Sequence, residues 1–290
     1  VTAARRRGAS RVVLAVPVAS ADAAARLAAH VDEVIALEVP PVFHAVGEWY
    51  EDFSPTEDRE VLDALDAVGS VGDGTEDVVI PTGALLLPGV LTVPAEAIGT
   101  VVFAHGSGSD RHSSRNRWVA SVLEQAGFAT LRFDLAPAQA AAARGRAFDL
   151  AELVDHLDAA LTTAAHHPRT ANLPIGVFGA STGAAVALTA ASRPGSRIRA
   201  IVSRGGRPDL AASALGMVRT PVLFIVGSAD EPVATWNRTA CEHLRCEHRL
   251  VEVPGATHLF EEPGALGRVA DLAVAWFRDH LEVVLSPSGR

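Results

Sequence analysis

From residue 75 onward, short runs of β-type apolar residues alternate with longer helix-type runs, and no other feature limits the fold as tightly. Strands are expected at 77–80, 84–87, 100–104, 129–133, 175–179, 200–204, 222–227 and 249–253. The later ones are unbroken Val/Ile/Phe/Leu runs rather than in–out alternations, as expected of parallel strands covered on both faces. Helices are expected between them, at 115–126, 148–165, 183–191, 234–244 and 264–281. Strands and helices in this succession pack as a doubly wound, mostly parallel α/β sheet. At 290 residues and 49% hydrophobic, the chain can bury a large core.

A glycine-rich link near residues 68–75, in VGSVGDGTE, separates this region from residues 1–67. The first segment carries 6 Arg against 12 acidic residues, so it holds much of the formal charge of −9. Its pattern reads strand (11–16), helix (21–30), strand (33–37), then a Pro-rich aromatic loop. That order suggests one parallel βαβ unit. Such a unit cannot cover both faces of its sheet alone and should lean on something else. Phe43, Trp49, Tyr50 and Phe53 are the expected contact residues, against the larger domain or a second copy of the chain.

Several classes of function are disfavoured. An acidic chain lacks the basic face that meets nucleic-acid phosphates. Every Lys/Arg position is Arg, which removes Schiff-base lysines and the P-loop lysine. Cys241 and Cys246 are too few for a disulfide framework, and CEHLRCEH (241–248) has the wrong spacing for common zinc sites. The start is basic and then briefly apolar, too short a run for a signal peptide, and no stretch reaches membrane-spanning length. A cytoplasmic protein with no metal, no cofactor, no nucleic-acid partner and no membrane contact is therefore expected.

The chemistry concentrates in Gly179-Ala180-Ser181-Thr182-Gly183, where an apolar strand passes directly into a helix. Gly-x-Ser-x-Gly is common by chance, but this strand–turn–helix context is what a nucleophile elbow needs. Close strand–helix packing alone would also favour small residues here. A serine hydroxyl needs a base and an orienting acid. Asp230 follows the strand in PVLFIVGSADEPV, and His258 follows the next strand in RLVEVPGATHLF, in the chain order Ser, Asp, His. Taken alone, Asp230 could be a helix N-cap and His258 an ordinary loop histidine; together they read as a triad. Backbone N–H groups of Thr182 and Ser107, the latter in the loop HGSGS after the third strand of this region, are the expected oxyanion donors. His105 is expected to anchor that loop rather than to act as a base.

Together, FAHGSGS, GASTGAA, GSADEPV and GATHLF resemble a dienelactone hydrolase-type member of the α/β-hydrolase superfamily over about residues 75–285. The resemblance implies an α/β-hydrolase fold, here without a large cap domain. Only residues 205–219 lie between the sixth and seventh strands, too few for the helical cap of larger relatives. One departure stands out: dienelactone hydrolases proper carry cysteine in the elbow, and this chain has Ser181. That favours a serine carboxylic-ester hydrolase acting on small or short-chain acyl esters. Acyl transfer, thioester or amide hydrolysis, and an inactive binding scaffold remain open alternatives. Residues 1–67 are similar to the C-terminal end of a bacterial phosphoribosyltransferase domain. The loop that would hold phosphoribosyl pyrophosphate is absent from them, so a remnant without transferase activity is expected, with homo-oligomerisation through this segment as one use. Arg204 and Arg207 follow a strand at the ligand-binding edge and could grip a substrate carboxylate. The alternative is a structural ion pair with Asp209 or Asp230.

Overall fold

The computed structural model describes residues 11–40, 43, 45–49, 74–83, 85–137 and 149–281. The chain divides into two compact units, Val1–Val61 and Leu62–Arg290. The link at 68–75 lies almost wholly outside the described residues, as do Tyr50 and Phe53.

In the first unit, β1 (Val13–Val18) and β2 (Glu33–Glu38) pair in parallel, with Val13 opposite Glu33. Helix α1 (Ala21–Ala28) lies between them in the chain, the kind of crossover connection parallel neighbours require. Its start is fixed by Ser20, whose Oγ accepts from Ala23 N at 3.2 Å. The expected βαβ order is therefore present, shifted by one or two residues.

The second unit is an eight-stranded sheet in the order β10-β9-β8-β7-β5-β6-β4-β3. These strands are β3 (Thr75–Thr82), β4 (Leu85–Thr92), β5 (Gly99–Ala104), β6 (Phe128–Phe133), β7 (Ile175–Ala180), β8 (Ile198–Arg204), β9 (Val222–Gly227) and β10 (His248–Val253). Only β4 runs against its neighbours, pairing antiparallel with both β3 and β6. It extends to Thr92, well past the expected end at 87. Pro88 and Gly89 look like breakers locally. Pairing on both sides carries the strand through them, and Gly89 makes room for Ile80 and Val78, whose atoms lie 2.9 and 3.1 Å from where a Cβ would stand.

Among the described residues, five helices flank this sheet: α2 (Ser114–Gln125), α3 (Leu150–His166), α4 (Thr182–Ser192), α5 (Glu231–His243) and α6 (Ala265–Leu281). Ser113 caps α2 and Asp149 caps α3, each accepting a first-turn N–H. One core cluster packs α3 and α4 against one face, with Leu157, Leu161, Val186 and Leu188 buried. The other packs α2 and α6 against the opposite face around Leu123, Phe128, Val269 and Phe277. Central strands β5, β7 and β9 are buried at every residue, which is why they read as continuous apolar runs. The fold is the expected doubly wound α/β sheet. Between β8 and β9 stand only single 3-10 turns, Pro208–Ala211 and Leu215–Met217. Among the described residues, no helix is long and apolar enough to cross a membrane.

Candidate active site

Ser181 sits between β7 and α4 with φ 51° and ψ −119°, a conformation that costs a non-glycine residue about 1–3 kcal/mol. The turn is tight enough to forbid side chains on either flank. A Cβ on Gly179 would stand 2.6 Å from Ala184 Cα, and one on Gly183 would stand 2.0 Å from Ala104 O. The backbone is pinned from the neighbouring strand: Ser181 N donates to Arg204 O at 3.1 Å, and Ser181 O accepts from Arg207 N at 3.0 Å. The small residues thus hold the serine in a forced turn at the C-terminal edge of the sheet, where ligands bind in such folds.

The loops after β9 and β10 are laced together. Ser228 N donates to Val253 O and Ala229 N to Ala256 O, both at 3.0 Å, and Gly255 N donates to Ser228 Oγ at 2.8 Å. This lacing brings His258 Nδ1 to 2.6 Å from Asp230 Oδ2. Asp230 is the cap residue of α5, yet its carboxylate makes no capping bond; it faces the imidazole instead. With Nδ1–H donating to Asp230, Nε2 is left as the basic nitrogen. The His258 ring lies over Gly205: a Cβ there would be 3.4 Å from its Nδ1 and Cε1. Gly205 follows Arg204, whose carbonyl holds Ser181, so Ser181, Asp230 and His258 share one sheet edge. Beyond His258, Thr257 N and Oγ1 both donate to Glu262 Oε1, closing the loop. These bonds hold the Glu262 carboxyl below its ordinary value.

The loop after β5 passes directly over the serine, with Gly106 so placed that a Cβ would stand 3.0 Å from Ser181 Cβ. His105 anchors it. Its Nδ1–H donates to Gly106 O at 2.9 Å and its Nε2 accepts from Leu135 N at 2.8 Å. Both bonds need the neutral ring, and burial pushes the imidazole below its ordinary 6.5, against the opposing pull of the Gly106 bond. His156 on α3 donates to Leu135 O at 2.9 Å, so a second buried histidine backs the first. The pair His105–His156 was invisible as a pair in sequence, because 51 residues and an unpredictable loop crossing separate them.

The two expected oxyanion donors differ in state. Thr182 N–H stands at the first helical position, where no intrahelical acceptor exists. Ser107 N–H instead donates to Thr182 Oγ1 at 2.9 Å, with Ser107 Oγ 3.1 Å from the same hydroxyl. The second donor is therefore held by the side chain of the residue that supplies the first. Beside it lies a small cleft lined by Ser107, Gly108, Leu135, Ala136, Leu153 and Thr182.

Arg207 and Arg204 have different surroundings. Arg207 makes a bidentate pair with Asp209 at 2.9 and 2.7 Å and stacks over Trp236 at 4.2 Å, so its fork is already filled. Arg204 is 7% exposed and its guanidinium has no hydrogen-bond or ion-pair partner among the described residues. It stands 5.8 Å from the Phe260 ring centre. Burial, with a smaller contribution from Arg115, lowers it to about 10.

Comparison with known proteins bears directly on this arrangement. A dienelactone hydrolase from Anabaena variabilis is 48% identical, with a TM-score of 0.69, over 71% of this chain and 98% of its own. The chain belongs to the dienelactone hydrolase-like α/β-hydrolases. A family model described as serine aminopeptidase, S33, matches residues 95–207, which include the loop after β5 and Ser181. Est1E from Butyrivibrio proteoclasticus shares the fold at 17% identity and a TM-score of 0.60, over 71% of this chain and 98% of that one. Proteins of two Mycobacterium tuberculosis strains, provisionally named phosphoribosyl transferases, are 48% identical over 96% of this chain. The chain spans 66% of their length.

Proposed function

We propose that the chain is a serine carboxylic-ester hydrolase for small or short-chain acyl esters. The observation that carries this is the 2.6 Å His258–Asp230 bond on the sheet edge that also holds Ser181 in its forced turn. Ser181 attacks the ester carbonyl as its proton passes to His258 Nε2. Asp230 keeps the imidazole in the required tautomer and stabilises its cation. The tetrahedral oxyanion sits against the N–H groups of Thr182 and Ser107, the latter freed by rotation of the Thr182 hydroxyl. His258 then protonates the leaving alcohol, and water releases the acid from the acyl-enzyme. The preference for short acyl groups is supported by the modest cleft along Leu135 and Leu153 and by the missing cap between β8 and β9.

The first unit we read as a phosphoribosyltransferase-like piece; the longer mycobacterial relatives of that name support the likeness. Residues 1–67 contain no acidic pair with a Gly/Thr loop for phosphoribosyl pyrophosphate.

Hydrolysis of chromogenic acetyl through octanoyl esters, with Ser181→Ala in parallel, tests the reading. Activity that falls with chain length and vanishes in the folded variant is the expected result. A folded wild type inert on every ester, or an equally active Ser181→Ala, would overturn it.

A further inference from the structure

Ser181 is held by two rigid peptide planes at the end of β8. In the first, between Arg204 and Gly205, the Arg204 carbonyl accepts from Ser181 N at 3.1 Å, and Gly205 N–H donates to Ile225 O at 2.8 Å. That plane is therefore anchored on its far side by β9. In the second, between Gly206 and Arg207, Arg207 N–H donates to Ser181 O at 3.0 Å. This plane lies past the last paired residue of β8, so the sheet does not anchor it. Because a peptide unit is planar, whatever holds Gly206 O also aims Arg207 N–H at the serine. The same short segment touches the imidazole: a Cβ on Gly205 would stand 3.4 Å from His258 Nδ1.

Gly206 O is held by a side chain. Asn237 of α5 is wholly buried, and its Nδ2 donates to Gly206 O at 2.9 Å and to Val233 O at 2.7 Å. Two carbonyl acceptors fix which end of the amide is the nitrogen. The other end, Oδ1, is buried with no partner among the described residues. An orphaned acceptor of this kind is unfavourable, and an apolar residue would fill the space without one. Packing therefore explains this amide poorly; the carbonyl it holds explains it well. The helix links Asn237 to the rest of the site. Asp230 caps its amino end, and seven residues, close to two turns, bring Asn237 back to the same side. Trp236, next in the chain, stacks on the Arg207 guanidinium at 4.2 Å.

We infer that Asn237 is a positioning residue for Ser181, acting through the Gly206–Arg207 peptide and touching neither substrate nor reacting atoms. The inference rests on the reading of Ser181, Asp230 and His258 as a catalytic triad. With Nδ2 in place, the second plane is clamped between Asn237 and Ser181 O, and the serine keeps φ 51° with its hydroxyl at a fixed distance from the imidazole. Without it, that plane can swing, and only the first plane still holds the strained turn. A misplacement on the order of 1 Å costs a reaction about 10²-fold. The loss falls on kcat, because the ground-state contacts of the substrate are not made by this peptide.

Three variants of the full chain test this. Asn237→Thr is close in size, and its hydroxyl can bond Val233 O one turn back but is too short for Gly206 O. It should lower kcat on phenyl acetate by about 10- to 100-fold with KM within about threefold. Amide hydrogen exchange gives a readout apart from activity: Arg207 N–H should exchange at least about tenfold faster, beyond any change at Leu244 N–H of the same helix. Ala240→Gly is the control for stability alone. This buried residue lies one turn on, and glycine there should lower Tm by about 2–4 °C while kcat and the relative exchange of Arg207 stay at wild type. Asn237→Asp, which also serves if the threonine variant does not fold, adds a pH signature. Burial raises its carboxyl, so the neutral acid that can donate to Gly206 O is present at low pH and lost as pH rises. Its kcat, divided by that of wild type at each pH, should therefore recover from pH 8 to pH 5.5. Wild-type kcat in Asn237→Thr overturns the inference, as does an equal loss in Ala240→Gly, uniform exchange, or an Asn237→Asp ratio that is flat or falls toward acid. A wild type inert on every ester, with Arg207 exchange selectively raised in Asn237→Thr, would sink the hydrolase reading and leave Asn237 as the anchor of the elbow.

Discussion

Replacing His105 by Leu tests whether the oxyanion loop is held from beneath. The two side chains are close in volume, so the change removes two hydrogen bonds with little cavity. Leu135 N–H loses its 2.8 Å acceptor inside the protein, while Gly106 O, which is only half-buried, can turn to water. One buried donor left unpaired costs about 1–3 kcal/mol. For a unit of this size, about 2 kcal/mol corresponds to a Tm lower by roughly 4–8 °C. The catalytic effect should exceed the thermal one. Ser107 N–H is two residues along the freed loop, and losing one oxyanion donor outright costs about 10²–10³ in kcat. A loosened donor should cost about tenfold or more, in kcat rather than KM, because the bond forms only in the transition state.

The same substitution has a pH signature. Burial lowers the His105 value below 6.5 in the fold, so between the folded value and 6.5 the unfolded chain binds the proton first. The contribution of His105 to stability is thus complete above pH 6.5 and is lost as pH falls through the depressed value. Denaturant melts from pH 8 to pH 5 should show the gap between wild type and His105→Leu narrowing on the acid side. A variant with wild-type kcat and Tm, or a gap that widens toward acid, would refute the reasoning.

Three other outcomes are expected. Ser181→Gly should be inactive yet more stable than wild type by about 1 kcal/mol in urea melts, since glycine adopts φ 51° without strain. Asp230→Asn should lower kcat by about 10³–10⁴ with an unchanged fold by circular dichroism, because the amide favours the wrong imidazole tautomer. Thr182→Val removes the hydroxyl that occupies Ser107 N–H. If that hydroxyl only holds the donor's place, kcat on acetyl esters should stay within about threefold of wild type; a loss of 10²-fold or more would show that it donates to the oxyanion itself.

How much of this could be read from sequence follows from the range of each interaction. The sheet was legible because strands buried on both faces must be apolar throughout, and the elbow because only small residues clear Ala104 O and Ala184 Cα. Asp230 and His258 were legible as candidates because each stands just beyond one of two successive strands, and the structure brings the two side chains together. Side-chain bonds across loops left no such mark. Thr182 reads as a backbone donor, and nothing in GASTGAA shows that its hydroxyl crosses 75 residues of chain to take Ser107 N–H. Arg204 and Arg207 look alike in SRGGRPDL, yet alternation along β8 sends the first to a buried face without a partner. Arg207 lies just past the strand end and reaches Asp209 two residues on. Local pattern sets which face a residue takes; whether a charge on that face is matched depends on what the opposite elements bring. At Arg204 they bring the Phe260 ring rather than a carboxylate, which no local motif in SRGGRPDL announces.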